Sequence, residues 1–269
     1  MSIQEKHEAL RKYIASLGSV AVAFSGGVDS TLLLKVAHDV LGDKALAVTV
    51  SASFTARRET DEAAKFCSSE GIKQVTLHVE ASDIEGFTSN PPDRCYICKH
   101  AIFTRILQAA NRHGTSHVAD GSNLDDLGDY RPGMKALGEL GIKSPLRECS
   151  FTKSDVRELS RELGLPTWDK PATACLASRF VYGEEITPEK LLMVEQAEEL
   201  MRYMGFRQFR VRIHGRMARI ELLPEVFGRV LQEEARTKIY GTLKELGFSY
   251  VTLDLKGYRT GSMNEAIIS

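Results

Sequence analysis

Two groups of residues in this 269-residue chain have types and spacings that could do chemistry: Ser25-Gly26-Gly27-Val28-Asp29-Ser30, and the cysteines Cys95, Cys98 and Cys175. The first follows the apolar run Val20-Ala21-Val22-Ala23-Phe24 and opens into Ser30-Thr31-Leu32-Leu33-Leu34-Lys35. A buried strand thus empties through a tight Gly-Gly turn into a helix. Glycines let backbone approach a ligand closely, and the loop N–H groups and the positive helix end favour an anion such as phosphate. The spacing differs from GxxxxGK(S/T) and from GxGxxG, so neither a Walker-type nucleotide site nor a dinucleotide fold is indicated.

Cys95-Tyr96-Ile97-Cys98 follows the Pro-rich stretch Asn90-Pro91-Pro92-Asp93-Arg94. A turn beginning near Arg94 places both sulfurs on one side. Convergent thiols suit zinc, an iron–sulfur cluster or a redox pair; two ordinary buried cysteines are the structural alternative. Cys175 sits in Ala172–Arg179, a stretch without periodicity, where function is found more often than packing. Cys67 joins Ala63, Ala64 and Phe66 in an apolar stripe and reads as core, and Cys149 fits either role. Five cysteines, an odd number, argue against a disulfide framework. Three thiolates leave one iron of a 4Fe-4S cluster without a protein ligand, open to a transferable sulfide. Zinc with His100 or His113 as fourth ligand is the closed alternative, and spacing does not choose between them.

Gln208–His214 alternates strictly, with Phe209, Val211 and Ile213 on one face and Arg210, Arg212 and His214 on the other. Residues Arg207–Arg219 include five arginines and no acid. Adjacent like charges repel, so an opposite charge must offset them. Either the strand binds an anion, for which arginine's planar fork is suited, or acids such as Glu221 on a neighbouring strand pair with it. An anion here reads as a small phosphate ester, because no aromatic residue interleaves on the polar face and the net charge is −1. Asp120–Asp126 leads into Gly128–Gly133, a turn-rich acidic segment. Asp126 is a candidate Mg²⁺ ligand there, and Asp29 is a second or a brace for its own loop. The alternative is a solvated acidic loop. Arg259 is placed either on an anion or in a surface ion pair.

The elements that must position these residues alternate. Strands are predicted at 19–24, 45–51, 74–79 and 116–119, and helices at 30–41, 55–69, 99–113 and 152–163, the last capped by Thr152 or Ser154. That order predicts an α/β fold, a parallel sheet wrapped by helices. Ligands in such sheets bind beyond the carboxyl ends of the strands, where Ser25–Ser30, Ser51 and Gly121 lie. The pattern changes after Trp168. Residues 169–183 read as a linker or active-site loop, followed by a helix (187–204), two strands (208–214, 217–222), a helix (224–246) and a strand (250–255), a small α+β domain. The near-neutral charge gives no case for nucleic acid or a membrane surface. No run approaches the roughly eighteen apolar residues of a membrane helix. Met1–Gly18 reads as a charged amphipathic helix rather than a signal peptide, so a cytoplasmic location is expected.

The SGGVDS run resembles the PP-loop of ATP pyrophosphatases, which cleave ATP between the α- and β-phosphates. Further motifs are Asp120–Gly133 (DGSNLDDLGDYRPG), Cys175 ahead of Ser178-Arg179-Phe180, and the strands Val211-Arg212-Ile213-His214 and Ala218-Arg219-Ile220-Glu221. With them, the chain resembles over nearly its whole length the LarE-type sulfur transferases of nickel-pincer nucleotide cofactor synthesis. The resemblance implies a twisted parallel sheet with helices on both faces, adenine nucleotide alpha hydrolase-like, over 1–168. It implies a linker or active-site loop over 169–186 and a substrate-binding or oligomerisation domain over 187–269. It implies adenylation of a carboxylate of pyridinium-3,5-biscarboxylic acid mononucleotide by ATP and Mg²⁺, displacement of AMP by sulfur, and repetition on the second carboxylate, for the lactate racemase cofactor. By matching position, Ser25, Gly26, Gly27, Asp29, Ser30, Ser51 and Gly121 bind ATP, Arg210 and Arg212 hold the substrate's phosphate, and Cys175 donates sulfur. In one form of the family a lone cysteine gives up its own sulfur. In the other, three cysteines hold a 4Fe-4S cluster that carries the sulfide, and Cys95, Cys98 and Cys175 match that form. A homo-oligomer, a hexamer, and cofactor-pathway partner proteins are also implied. A PP-loop tRNA thiolase would need a basic surface, an amide-forming synthase would leave three cysteines idle, and a zinc-stabilised ATP-binding module would not adenylate.

Overall fold

The computed structural model describes residues 1–128, 132–171, 174–259 and 261–264. Asp129-Tyr130-Arg131, Ala172-Thr173 and Thr260, each part of a segment named above, lie outside the described residues. The chain divides into two compact units, Met1–Glu80 with Cys95–Thr173, and Ala81–Arg94 with Ala174–Ser269.

In the first unit, β1 (Val20–Ala23), β2 (Ala45–Ala52), β3 (Gln74–Val79) and β4 (Val118–Ala119) form a parallel sheet in the order β3-β2-β1-β4. Val20 pairs with Ala45, Ala21 with Val118 and Val48 with Val75. Successive side chains of a strand point to opposite faces, and both faces here are covered. Val20, Val22, Ala45 and Ala47 pack with α1 (Ile3–Leu17), α2 (Val28–Leu41), α3 (Arg57–Glu70), α6 (Pro145–Glu148) and α7 (Lys153–Glu162). Ala21, Leu46 and Val48 pack with α4 (Arg94–Arg112) and α5 (Pro132–Glu139) on the other face. Burial on both sides explains why β1 and β2 read as nearly continuous apolar runs rather than alternating ones. The α/β architecture expected from the sequence is found.

One helix start differs from expectation, and at another the structure chooses between two caps. α4 begins at Arg94, not near Lys99, because Arg94 N–H already bonds Pro91 O at 3.0 Å and the prolines just ahead fix the entry to a helix. α7 is capped by Thr152, whose side chain accepts from Asp155 N while Asp155 reaches back to Thr152 N; Ser154 lies inside the helix.

The second unit has a three-stranded sheet of β5 (Phe209–His214), β6 (Met217–Leu222) and β7 (Tyr250–Leu253), in that order. β5 and β6 are antiparallel, and β7 runs parallel to β6. Gly215, at φ 61°, supplies the left-handed residue that the two-residue hairpin turn demands. With α8 (Pro188–Tyr203) ahead of it, this is the small α+β arrangement expected. The single helix expected at 224–246 is instead a 3₁₀ turn at Pro224–Val226, α9 (Phe227–Val230) and α10 (Glu233–Glu245). The break falls at Gln232, which is extended, and Glu233 and Glu234 then sit in the first turn of α10, where the helix dipole favours acids. Residues 81–94 join this unit although sequence order puts them in the first. Asn90, left-handed at φ 54° and fully buried, donates its amide to Val181 O at 2.6 Å, accepts from Arg94 and receives Gly183 N–H at 2.9 Å. No helix among the described residues is long and apolar enough to cross a membrane.

Candidate active site

Beyond the carboxyl end of β1 the chain turns at Gly26, φ 69°, and enters α2 at Gly27, which no side chain caps. The first N–H groups of α2 are therefore not satisfied by a capping side chain and face the loop. Inside the loop Ser30 Oγ donates to Gly27 O at 3.2 Å and accepts from Ser25 N at 3.3 Å. Ser25 Oγ lies 3.1 Å from Ser30 Oγ and accepts from Gly27 N at 3.4 Å. One assignment of the two hydroxyl protons satisfies all four contacts: Ser25 donates to Ser30, and Ser30 to Gly27. The result is a turn preformed by its own hydrogen bonds at the start of α2. Ser51 stands near the carboxyl end of the neighbouring strand β2.

The segment after β4 closes on this loop. A Cβ on Gly121 would lie 3.0 Å from Ser30 N and 3.2 Å from Asp29 Cβ, so any larger residue would push the two backbones apart. Asn123 ties the acids together. Its amide donates to Asp29 Oδ1 at 2.9 Å, its backbone N–H to Asp126 Oδ2 at 2.9 Å, and its Oδ1 accepts from Asp125 N. Lys153, the first residue of α7, places its ammonium on Asp29 Oδ2 and its N–H on Asp125 Oδ2. Asp29 and Asp126 are thus brought into one network through Asn123. Two lysines escaped the sequence reading: Lys153 and Lys170, whose ammonium donates to Gly26 O at 3.0 Å. A lone lysine in a polar stretch carries no periodic signal. The available hint for Lys153 was its place beside the Thr152 cap.

The cysteines separate by burial. Cys67 is 2% exposed, and burial pushes its thiol up to about 12; Cys149 is buried and is pushed up by burial and by Glu148. Both are poor thiolates. Cys95 and Cys175 are exposed and Cys98 is half-buried. Cys95 and Cys98 occupy the first two turns of α4 in the first unit, three apart on one helix face. Cys175, in the second unit, precedes a 3₁₀ turn at Leu176–Arg179, and its carbonyl accepts from Arg179 Nη1 at 3.1 Å. Within each unit, no group of three or more His, Cys, Asp or Glu side chains that could hold a metal is found among the described residues.

In the second unit Arg212 is 6% exposed and pairs with fully buried Glu221 on β6 at 2.9 Å, also donating to Ser178 O at 2.9 Å. Arg219 reaches the other oxygen of Glu221 at 2.8 Å, and Ser262 donates to that oxygen as well. The pairing with Glu221 considered from sequence is therefore found for Arg212. Arg210 lies over the Tyr258 ring, 5.2 Å from its centroid. Its Nη1 donates to Phe209 O at 2.6 Å, and burial, then the charge of Arg179, lowers its pKa from the ordinary value. Arg179 itself makes a two-pronged pair with buried Glu198, 2.8 Å on each side. Burial alone would raise the Glu198 carboxyl, but the charge and hydrogen bonds of Arg179 and the Val211 N–H hold it below its ordinary range. Arg259 sits 3.5 Å from Asp254, the ion-pair alternative.

Residues 2–104 match the family model described as NAD synthase. The chain is 43% identical to an uncharacterised protein of Synechocystis, covering 98% of this chain and 99% of the relative. It is 39% identical to the pyridinium-3,5-bisthiocarboxylic acid mononucleotide synthase of Lactiplantibacillus plantarum, covering 99% and 96%. One of the subunits of the glutamine-hydrolysing GMP synthase of Archaeoglobus fulgidus is 28% identical over 68% of this chain and 64% of its own length. The GMP synthase subunit thus shares only part of the chain, and the likeness to the bisthiocarboxylic acid mononucleotide synthase runs over nearly the whole of it. With the glycine turn between β1 and α2, this places the chain in the LarE-type family of pyridinium-3,5-bisthiocarboxylic acid mononucleotide synthases, ATP-using enzymes of PP-loop fold.

Proposed function

We propose that this enzyme adenylates each carboxylate of pyridinium-3,5-biscarboxylic acid mononucleotide with ATP and converts it to a thiocarboxylate. The observation that carries this reading is the 39% identity to the named synthase across nearly the whole chain. A carboxylate is a poor electrophile until it gains a good leaving group. A substrate oxygen attacks the α-phosphorus, the bond to the bridging oxygen breaks, and pyrophosphate departs with the electron pair. Charge grows on that leaving group, and the N–H groups of Ser25–Ser30 and the start of α2 are preorganised donors for it. Ser51 and Gly121 border the nucleotide. Asp29 and Asp126 are the carboxylates for the Mg²⁺ that accompanies ATP, a cation that takes one or two carboxylates plus phosphate oxygens. Sulfur then attacks the acyl carbon and AMP leaves.

Arg210 and Arg212 are proposed to hold the substrate's phosphate. An anion beside Arg210 would relieve its crowding by Arg179 and Arg212. Cys95, Cys98 and Cys175 have the soft donor chemistry of a 4Fe-4S site, and none of the three is buried. Bound there, the cluster would supply the transferable sulfide. The parts of this proposal are a pyrophosphatase domain over 1–168, an active-site loop over 169–186 and a substrate-binding and oligomerisation domain over 187–269. The enzyme would work in the cytoplasm as a homo-oligomer, a hexamer, passing its product to the proteins that insert nickel for lactate racemase.

Protein prepared without oxygen is expected to form AMP and pyrophosphate in equal amounts, and only when the mononucleotide is present. ADP and phosphate would contradict adenylation. The same preparation is expected to hold about four irons per chain with acid-labile sulfide, lost in Cys95→Ala, Cys98→Ala and Cys175→Ala. Zinc or no metal in the wild type would overturn the cluster and point to the lone-cysteine route through Cys175.

A further inference from the structure

We propose that Lys170 is a positioning residue for the pyrophosphate loop, holding the Gly26–Gly27 peptide with its N–H turned toward the anion site. The inference rests on the reading that Ser25–Ser30 grips pyrophosphate. A trans peptide is planar, so its carbonyl and its N–H point to opposite sides. Lys170 Nζ donates to Gly26 O at 3.0 Å, and the Gly27 N–H then faces Ser25 Oγ at 3.4 Å, where the Ser25 and Ser30 hydroxyls meet. Between two glycines a peptide turns over with little steric resistance. Turned over, this one would present a carbonyl oxygen to the phosphates. The ammonium on Gly26 O opposes that rotation.

Lys170 is itself fixed. Its side chain is 11% exposed, and Nζ also donates to Glu59 at 2.7 Å and Glu62 at 2.8 Å, both on α3. The same helix backs the turn: a Cβ on Gly26 would lie 3.4 Å from Ala63 Cβ and from Glu59 O. The carbonyls of Trp168 and Lys170 accept from the two ends of the Arg157 guanidinium, at 2.7 and 2.8 Å. Two carboxylates compensate the ammonium, so it serves the loop carbonyl rather than drawing phosphate as an open cation.

The test is calorimetric binding of AMPPNP, pyrophosphate and AMP to wild type, Lys170→Met, Lys170→Arg and Glu62→Gln. Lys170→Met is expected to weaken AMPPNP and pyrophosphate about tenfold, equivalent to about 1.4 kcal/mol, with AMP binding unchanged. Lys170→Arg should recover most of the loss, and Glu62→Gln should lose about threefold in the same pattern. AMPPNP and pyrophosphate binding as in wild type in Lys170→Met and Glu62→Gln would overturn the proposal, as would an equal loss for AMP, the mark of a merely structural role. Should Lys170→Met not fold, Glu62→Gln decides, because Glu62 is half-exposed. Wild type that binds AMP but neither AMPPNP nor pyrophosphate more tightly would instead sink the pyrophosphate role of the loop.

Discussion

At Gly121 a hydrogen in place of a methyl group lets the segment after β4 rest on the first turn of α2. A Cβ would meet Ser30 N at 3.0 Å, and that neighbour is backbone that cannot swing aside. Gly121→Ala is therefore expected to displace the loop, weaken ATP binding by about tenfold or more and lower stability by about 1–3 kcal/mol. Unchanged ATP affinity in calorimetry would contradict this packing. Gly121 was legible in the sequence as a residue beyond a strand end, but its backbone contact was not, because spacing does not reveal how two distant segments meet. Cys67 was legible as core from its apolar stripe, and its thiol, raised to about 12, agrees. The arginine strand stood between two readings that only partner geometry separates: Arg212 pairs with Glu221, and Arg210 lies over the Tyr258 ring with its Nη1 on Phe209 O.

At the scale of elements, the strands were read closely because a sheet buried on both faces leaves continuous apolar runs bounded by turns. Helix starts were read less well. The Pro91-Pro92 entry to α4 and the Glu233-Glu234 start of α10 are local signals that periodicity alone passes over. The start of α7 positions Lys153 on Asp29. There Asp155 accepts from Thr152 N at 2.7 Å and from Lys6 at 2.7 Å. Burial alone would raise its carboxyl, but Lys6 and Thr152 together bring it below its ordinary value. A depressed carboxyl contributes stability that is present above the unfolded value and is lost as pH falls through the folded one. Asp155→Asn is expected to cost about 1 kcal/mol near neutral pH. In denaturant titrations the gap to wild type should close as pH drops below the ordinary carboxylate range. A gap that does not change with pH would show that the charge is not what holds this cap.

Over the whole molecule, a net charge of −1 gives no global electrostatic pull on a polynucleotide. The chain passes from the first unit into the second at residue 81 and returns at Cys95, so the CxxC pair begins where one unit hands over to the other along the sequence. That crossing was not legible, because it depends on Asn90 and Arg94 finding partners about ninety residues away, such as Val181 and Tyr182. The central claim is that one protein both adenylates the carboxylate and delivers sulfur to it through Cys175. Mass spectrometry of reactions run without oxygen, with ATP, Mg²⁺, sulfide and the mononucleotide, tests it most directly. Wild type should yield thiocarboxylate, one oxygen of each carboxylate replaced by sulfur with one AMP released per replacement, and Cys175→Ala should still form the acyl adenylate but no thiocarboxylate. Thiocarboxylate from Cys175→Ala at the wild-type rate, or none from wild type, would contradict the account.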